Sequence, residues 1–178
     1  MRQKLTWLVL FSAAIVLTGL FHGGSAFATP GQGFTSTPVA QGQFDEFSVL
    51  NKFVQPSSGR GEHEDAQVWL SSQRTKGLSD GAVLSNVWLP GGTTGWHTHP
   101  GHTLIFVTAG AVTQYQADDP SCTPHVYSAG MSFVDHGGQH VHIVRNEGTV
   151  VAQAIAIRLV PAGQAARIDA PDPGNCHF

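Results

Sequence analysis

Short apolar runs alternate with turn residues along most of the chain, and the runs are too short and too rich in Val and Ile to be helices. They lie at Val68 to Ser71, Ala82 to Leu89, Thr103 to Thr108, Val112 to Gln116, Met131 to Val134, Val141 to Val144 and Val150 to Val160. Between them stand Pro90-Gly91-Gly92, Ala109-Gly110, Asp119-Pro120, Gly137-Gly138 and Asn146-Glu147-Gly148, each suited to reversing the backbone. Strands separated by such turns predict an all-β sandwich or barrel over residues 67–160. One segment competes as a helix, Val160 to Ile168 with Ala162, Ala165 and Ala166, but Pro161 and Gly163 weaken it. Residues 29–66 are mostly polar apart from Phe44 to Val54, and predict an extended N-terminal arm with one or two edge strands. Residues 161–178, broken by Pro171 and Pro173, read as a C-terminal tail.

The start of the chain follows a different logic. Arg2 and Lys4 precede an apolar run of 17 residues, Leu5 to Phe21, and small residues follow up to Ala26-Phe27-Ala28. That order is a secretory signal peptide over residues 1–28, with the mature chain beginning at Thr29 in the periplasm or outside the cell. The alternative is an uncleaved membrane anchor, because the run approaches the shortest helix that spans a bilayer.

Charge then removes whole classes of partner. The full chain carries -3, and residues 29–178 hold 7 basic against 12 acidic side chains, a formal charge of -5. No basic footprint for phosphate backbones exists, so nucleic acid is not an expected partner, and neither is a membrane once the signal is cleaved. Export also changes the reading of Cys122 and Cys176, which in an oxidising compartment form a disulfide joining the tail to the Asp118 to Cys122 loop. Closing that loop is worth about 4 kcal/mol in the chain-entropy view. Two free or metal-binding thiols are the other reading.

Chemistry concentrates in the histidines. Seven of the ten lie within 46 residues: His97, His99, His102, His125, His136, His140 and His142. In a strand, side chains two apart share a face, so His97-Thr98-His99 and His140-Val141-His142 each aim two rings the same way. Two such pairs converging inside a barrel make a transition-metal site, imidazole being the commonest ligand for these ions. His140 is then a fourth ligand or a pocket-lining group, and His102, past Pro100-Gly101, belongs to a loop at the barrel mouth. Asp135, Tyr115, Tyr127 and Gln114 lie on strands that reach the barrel, while Arg145 and Arg158 read as surface charge.

The spacing resembles that of the cupin superfamily. Gly91-(x)5-His97-x-His99-(x)3-Thr103-(x)6-Gly110 is similar to the first cupin motif, whose usual form has Glu at the Thr103 position. Gly130-(x)5-His136-x-Gly138-(x)3-His142-(x)3-Asn146 resembles the second, with His136 in place of Pro and one extra residue before His142. The resemblance implies a jelly-roll β-barrel holding one divalent metal (Zn, Fe, Cu, Ni or Mn) through His97, His99 and His142. With Thr103 in place of the carboxylate, it implies a neutral three-imidazole face that suits Zn, Cu, Ni or Fe(II) better than Mn. The function so implied is an exported metal-binding cupin acting on a small molecule as an oxygenase or lyase. The alternatives are a non-catalytic binder of a metal or small ligand and a scaffold carrying a remnant motif. Cupins often pair through edge strands, which makes Phe44 to Val54 the candidate surface for a homodimer.

Overall fold

The computed structural model of the protein describes residues 28–55 and 67–178. The signal-peptide reading, residues 1–28, lies outside the described residues except for Ala28.

Among the described residues the chain forms strands and no helix. In order they are β1 (Gln32–Phe44), β2 (Ser48–Gln55), β3 (Gln67–Arg74), β4 (Ser79–Thr93), β5 (His97–Thr98), β6 (Thr103–Ala109), β7 (Ala111–Gln116), β8 (His125–Ser128), β9 (Ser132–Asp135), β10 (His142–Arg145), β11 (Ala152–Pro161) and β12 (Ile168–Asp169). Every pairing is antiparallel. One run of hydrogen-bonded strands is β1-β4-β11-β6-β9, and the other is β12-β5-β10-β7-β8. They join at a corner where Thr93 of β4 meets Arg145 of β10.

Alternation sets the inner face. On β6, Thr103, Ile105 and Val107 point inward and Leu104 and Phe106 outward, and on β9 Phe133 and Asp135 point inward. Leu84 and Trp88 of β4, Ile105, Val107 and Phe133 then pack against Val112 and Val144 of the facing run to form the main core. On β11 the inward positions are small, Ala152, Ala154 and Ala156, so Trp88 fits opposite them without filling the barrel. A second cluster, Trp96, Tyr115, Ile143, Ala170 and Cys176, lies on the other side of β10. There the Cys122–Cys176 disulfide, with Cα atoms 5.3 Å apart, fastens the tail.

Two local expectations change and one competing reading falls away. Val160 to Ile168 holds no helix; after Pro161 the chain turns, and Ile168–Asp169 adds β12 beside β5. The run at Val68 to Ser71 belongs to β3, which pairs with β2 in a separate two-stranded sheet and not with the barrel strands. The arm is more regular than expected, since β1 follows β4 from Thr93 to Ser79.

Candidate metal centre

The site forms where the two histidine motifs become neighbouring strands. His142 opens β10 and is the direct cross-strand partner of His97 on β5, so both rings leave the sheet on one face. His99, just past the end of β5, joins them. The ring centroids lie 4.3 Å (His97–His142), 4.8 Å (His97–His99) and 5.8 Å (His99–His142) apart. One nitrogen from each lies within 4.8 Å of the others, and the three buried rings could hold a metal ion.

Backbone carbonyls fix the rings. His97 Nδ1 donates to the Gly95 carbonyl at 2.8 Å and His99 Nδ1 to the Ala166 carbonyl at 2.6 Å. With the proton on Nδ1, Nε2 of each ring carries a bare lone pair, the tautomer a metal ligand needs. Burial favours the neutral rings. It lowers His97 well below its ordinary range, aided by the neighbouring His142 and Arg167, and lowers His99 and His142 to about 4. All three are therefore neutral at pH 7.

The three-imidazole face expected from Thr103 is present, with a carboxyl group beside it. Thr103 of β6 is buried there, but its cross-strand partner on β9 is Asp135, whose side chain is 1% exposed. Asp135 Oδ1 accepts the Gly137 N–H at 3.0 Å. Its Oδ2 lies 3.2 Å from His99 Nε2 and 3.4 Å from His142 Nε2, without a hydrogen-bond partner. Burial raises the Asp135 pKa, a push that outweighs the pull of His99. Each partner thus resists its own charged form, so these contacts are not ordinary ion pairs.

The three rings open on a cavity of about 750 Å³ that also exposes Thr103, Asp135 and Arg158. Arg158, read from sequence as surface charge, shares the inward phase of Ala152, Ala154 and Ala156 on β11. Its Nη1 donates to the Ala166 carbonyl at 3.0 Å, and its Nε is buried without a partner. That parity was visible in the sequence, since an Arg two positions beyond a row of inward alanines has room to enter the barrel. Asn86 Oδ1 and Trp88 Nε1, on the same face of β4, also line the cavity and are buried without partners.

Other candidates lie elsewhere. His140 precedes the first residue of β10, so the period-two argument does not reach it; it is exposed, its ring 5.7 Å from that of His136. His102 is exposed on the outer surface beside Leu104 and Ile157. His125 is exposed as well. Tyr115 donates to Glu147 Oε1 at 2.8 Å, Tyr127 stacks on Phe133, and Gln114 is buried with Nε2 unpartnered. Arg145 lies over the Phe178 ring at 3.9 Å.

No helix among the described residues is long and apolar enough to cross a membrane. No curated protein matches the chain. Similar solved structures include an uncharacterized conserved protein with a double-stranded beta-helix domain from Klebsiella pneumoniae. It is 22% identical, with a TM-score of 0.43, over 51% of this chain and 70% of that one. An oxalate oxidase is 24% identical over 46% of each chain, with a TM-score of 0.38, so the match spans less than half of that protein. The polyketide cyclase RemF from Streptomyces resistomycificus is 16% identical over 52% of this chain and 64% of its own, with a TM-score of 0.42. Residues 87–158 match the cupin domain family. With both histidine motifs inside that match and an antiparallel barrel around them, residues 87–158 form a cupin domain.

Proposed function

We propose that this protein is an exported metal-binding cupin whose His97, His99 and His142 hold one divalent transition metal (Zn, Fe, Cu, Ni or Mn). In this reading it works as an oxygenase or lyase on a small anionic molecule. The observation that carries the proposal is three buried, neutral imidazoles converging on one cavity, two of them with Nδ1–H tied to backbone carbonyls. The donor set fits a borderline transition metal. When bound, such an ion polarises an oxygen of the substrate and, if redox-active, supports dioxygen chemistry.

The remaining roles belong to the chain. Arg158 offers a buried N–H to an anionic group beside the histidines. Asn86 Oδ1 and Trp88 Nε1 supply one acceptor and one donor, unused within the protein, for polar atoms of the same ligand. Ile105, Phe133 and Val144 form an apolar wall that excludes water from it. A cavity of about 750 Å³ has the size of a small-molecule site. The disulfide supports export, because such bonds persist in oxidising compartments.

The test is calorimetric titration of the metal-loaded protein with pyruvate and benzoate as simple carboxylate probes. Arg158→Met, compared at equal metal content, is expected to weaken binding about tenfold. Equal binding by the variant would remove the anion site from the proposal. A loaded protein that binds neither probe would favour the alternative, an exported protein that holds metal without turning over a small molecule.

A further inference from the structure

The cupin pattern puts its carboxylate at position 103, where this chain has Thr, yet the barrel interior is not without one. Thr103 and Asp135 are register partners on adjacent strands, both pointing inward. Side chains so placed have Cβ atoms about 4.5–5.5 Å apart, so an Asp on β9 reaches nearly the same space as a longer acid on β6. We propose that Asp135 is the fourth protein ligand of the metal centre, its Oδ2 replacing, from the neighbouring strand, the carboxylate absent at position 103. This rests on the proposal that the three histidines hold an ion.

Lone-pair geometry carries the argument. His99 Nδ1–H is committed to the Ala166 carbonyl, so the Nε2 facing Asp135 Oδ2 at 3.2 Å is an acceptor facing an acceptor. His142 Nε2 meets the same oxygen at 3.4 Å. A buried carboxylate oxygen against the bare His99 nitrogen is unfavourable unless a proton or a metal ion lies between them, while the His142 Nδ1 has no partner and that ring's tautomer is set by what its Nε2 meets. A proton on Oδ2 relieves the His99 contact and does nothing for the bare His97 Nε2. A metal ion satisfies them together. Two ligands about 2.1 Å from one ion, at angles between octahedral and tetrahedral, lie roughly 3.0–3.4 Å apart, which brackets both distances.

The anchoring of the carboxylate fits this role. Oδ1 is held by the Gly137 N–H, which fixes the side chain with Oδ2 turned to the histidines. Gly138 N–H in turn donates to the His99 carbonyl at 2.6 Å, so one turn positions both His99 and Asp135. The hard anionic donor also changes metal choice. Three imidazoles and a carboxylate accept Mn(II) or Fe(II) more readily than three imidazoles alone.

The test compares the full-length wild type with Asp135→Asn, which keeps an Oδ1 acceptor for Gly137. Each apoprotein is titrated with Mn(II), followed by loss of the free-ion paramagnetic resonance signal, and with Co(II), followed by visible absorption. Asp135→Asn is expected to weaken Mn(II) binding by at least about tenfold and to alter the Co(II) bands at saturation. If wild type takes up one equivalent and the variant matches it in affinity and spectrum, the carboxylate proposal falls and the three-histidine reading stands. If affinity drops but the saturated Co(II) spectra superimpose, Asp135 only positions the histidines and is not a ligand. Wild type that takes up neither ion overturns both.

Discussion

Gly137 and Gly138 offer a paired test of how the centre is held. Both have positive φ, +64° and +66°, so Ala at either position adopts a backbone conformation that disfavours a side chain, at about 1–2 kcal/mol. Their surroundings differ. A Cβ at Gly138 meets nothing within 4 Å, whereas one at Gly137 lies 2.5 Å from the Gly101 carbonyl carbon, closer still to its oxygen, and 3.0 Å from the His99 carbonyl oxygen. Those are backbone atoms that cannot rotate away. Relief requires the Asp135–Gly138 turn to move off the His99–Gly101 loop, by far more than the roughly 0.2 Å a metal site tolerates. Gly138→Ala is therefore expected to lose about 1–2 kcal/mol and keep wild-type metal affinity. Gly137→Ala adds overpacking of about 1–3 kcal/mol, placing it about 2–5 kcal/mol below wild type, with metal binding weakened as well. Urea unfolding of apo and loaded protein measures both quantities. Equal destabilisation by the two variants, or undiminished metal affinity in Gly137→Ala, would refute the claim that this contact sets the site.

Acid should destabilise the apoprotein. His99 and His142 titrate near 4 when folded against an ordinary 6.5, so the unfolded chain takes up protons first and stability falls as pH drops from 6.5 towards 4. The slope approaches about 1.4 kcal/mol per pH unit for each ring, and a urea midpoint unchanged between pH 7 and pH 5 would contradict it. Replacing Cys122 and Cys176 with Ser opens a bond that spans 54 residues of sequence and should cost about 4 kcal/mol by urea unfolding; a loss below about 1 kcal/mol would show that the tail docks without it. The β2–β3 sheet exposes Leu50, Phe53, Trp69 and Leu70, and two strands alone are marginal in water. A groove of about 840 Å³ beside Phe44, Leu104, Ile157 and Leu159 is an apolar counterpart on the same chain, so the expected occupant is a second copy's hairpin. Sedimentation equilibrium should show a dimer that Trp69→Asp with Leu70→Asp converts to monomer, and a monomeric wild type would end that reading.

Much of the barrel was legible because β6, β9 and β11 each alternate about a buried face, and alternation is local. His97, His99 and His142 were legible for the same reason, helped by their spacing. His140 was misplaced because a run of apolar residues does not reveal where pairing begins: β10 opens at His142. Asp135 entered only as one of several residues on barrel-reaching strands. Its position beside Thr103 depends on the register between β6 and β9, which is set by long-range packing. Arg158 was missed although its parity was available, because charge was weighed above phase. The pairing of β2 with β3 away from the barrel has no local signal, since their short apolar runs, Val49-Leu50 and Val68-Trp69-Leu70, suit either sheet.

The central claim is one metal ion held by His97, His99 and His142. Elemental mass spectrometry on the protein, purified without a tag or chelator, tests it most directly, with His97→Ala/His142→Ala as the paired sample. About one equivalent of a single transition metal in wild type, lost in the variant, is the expected result. A folded wild-type barrel without metal, or metal content unchanged in the variant, would contradict it.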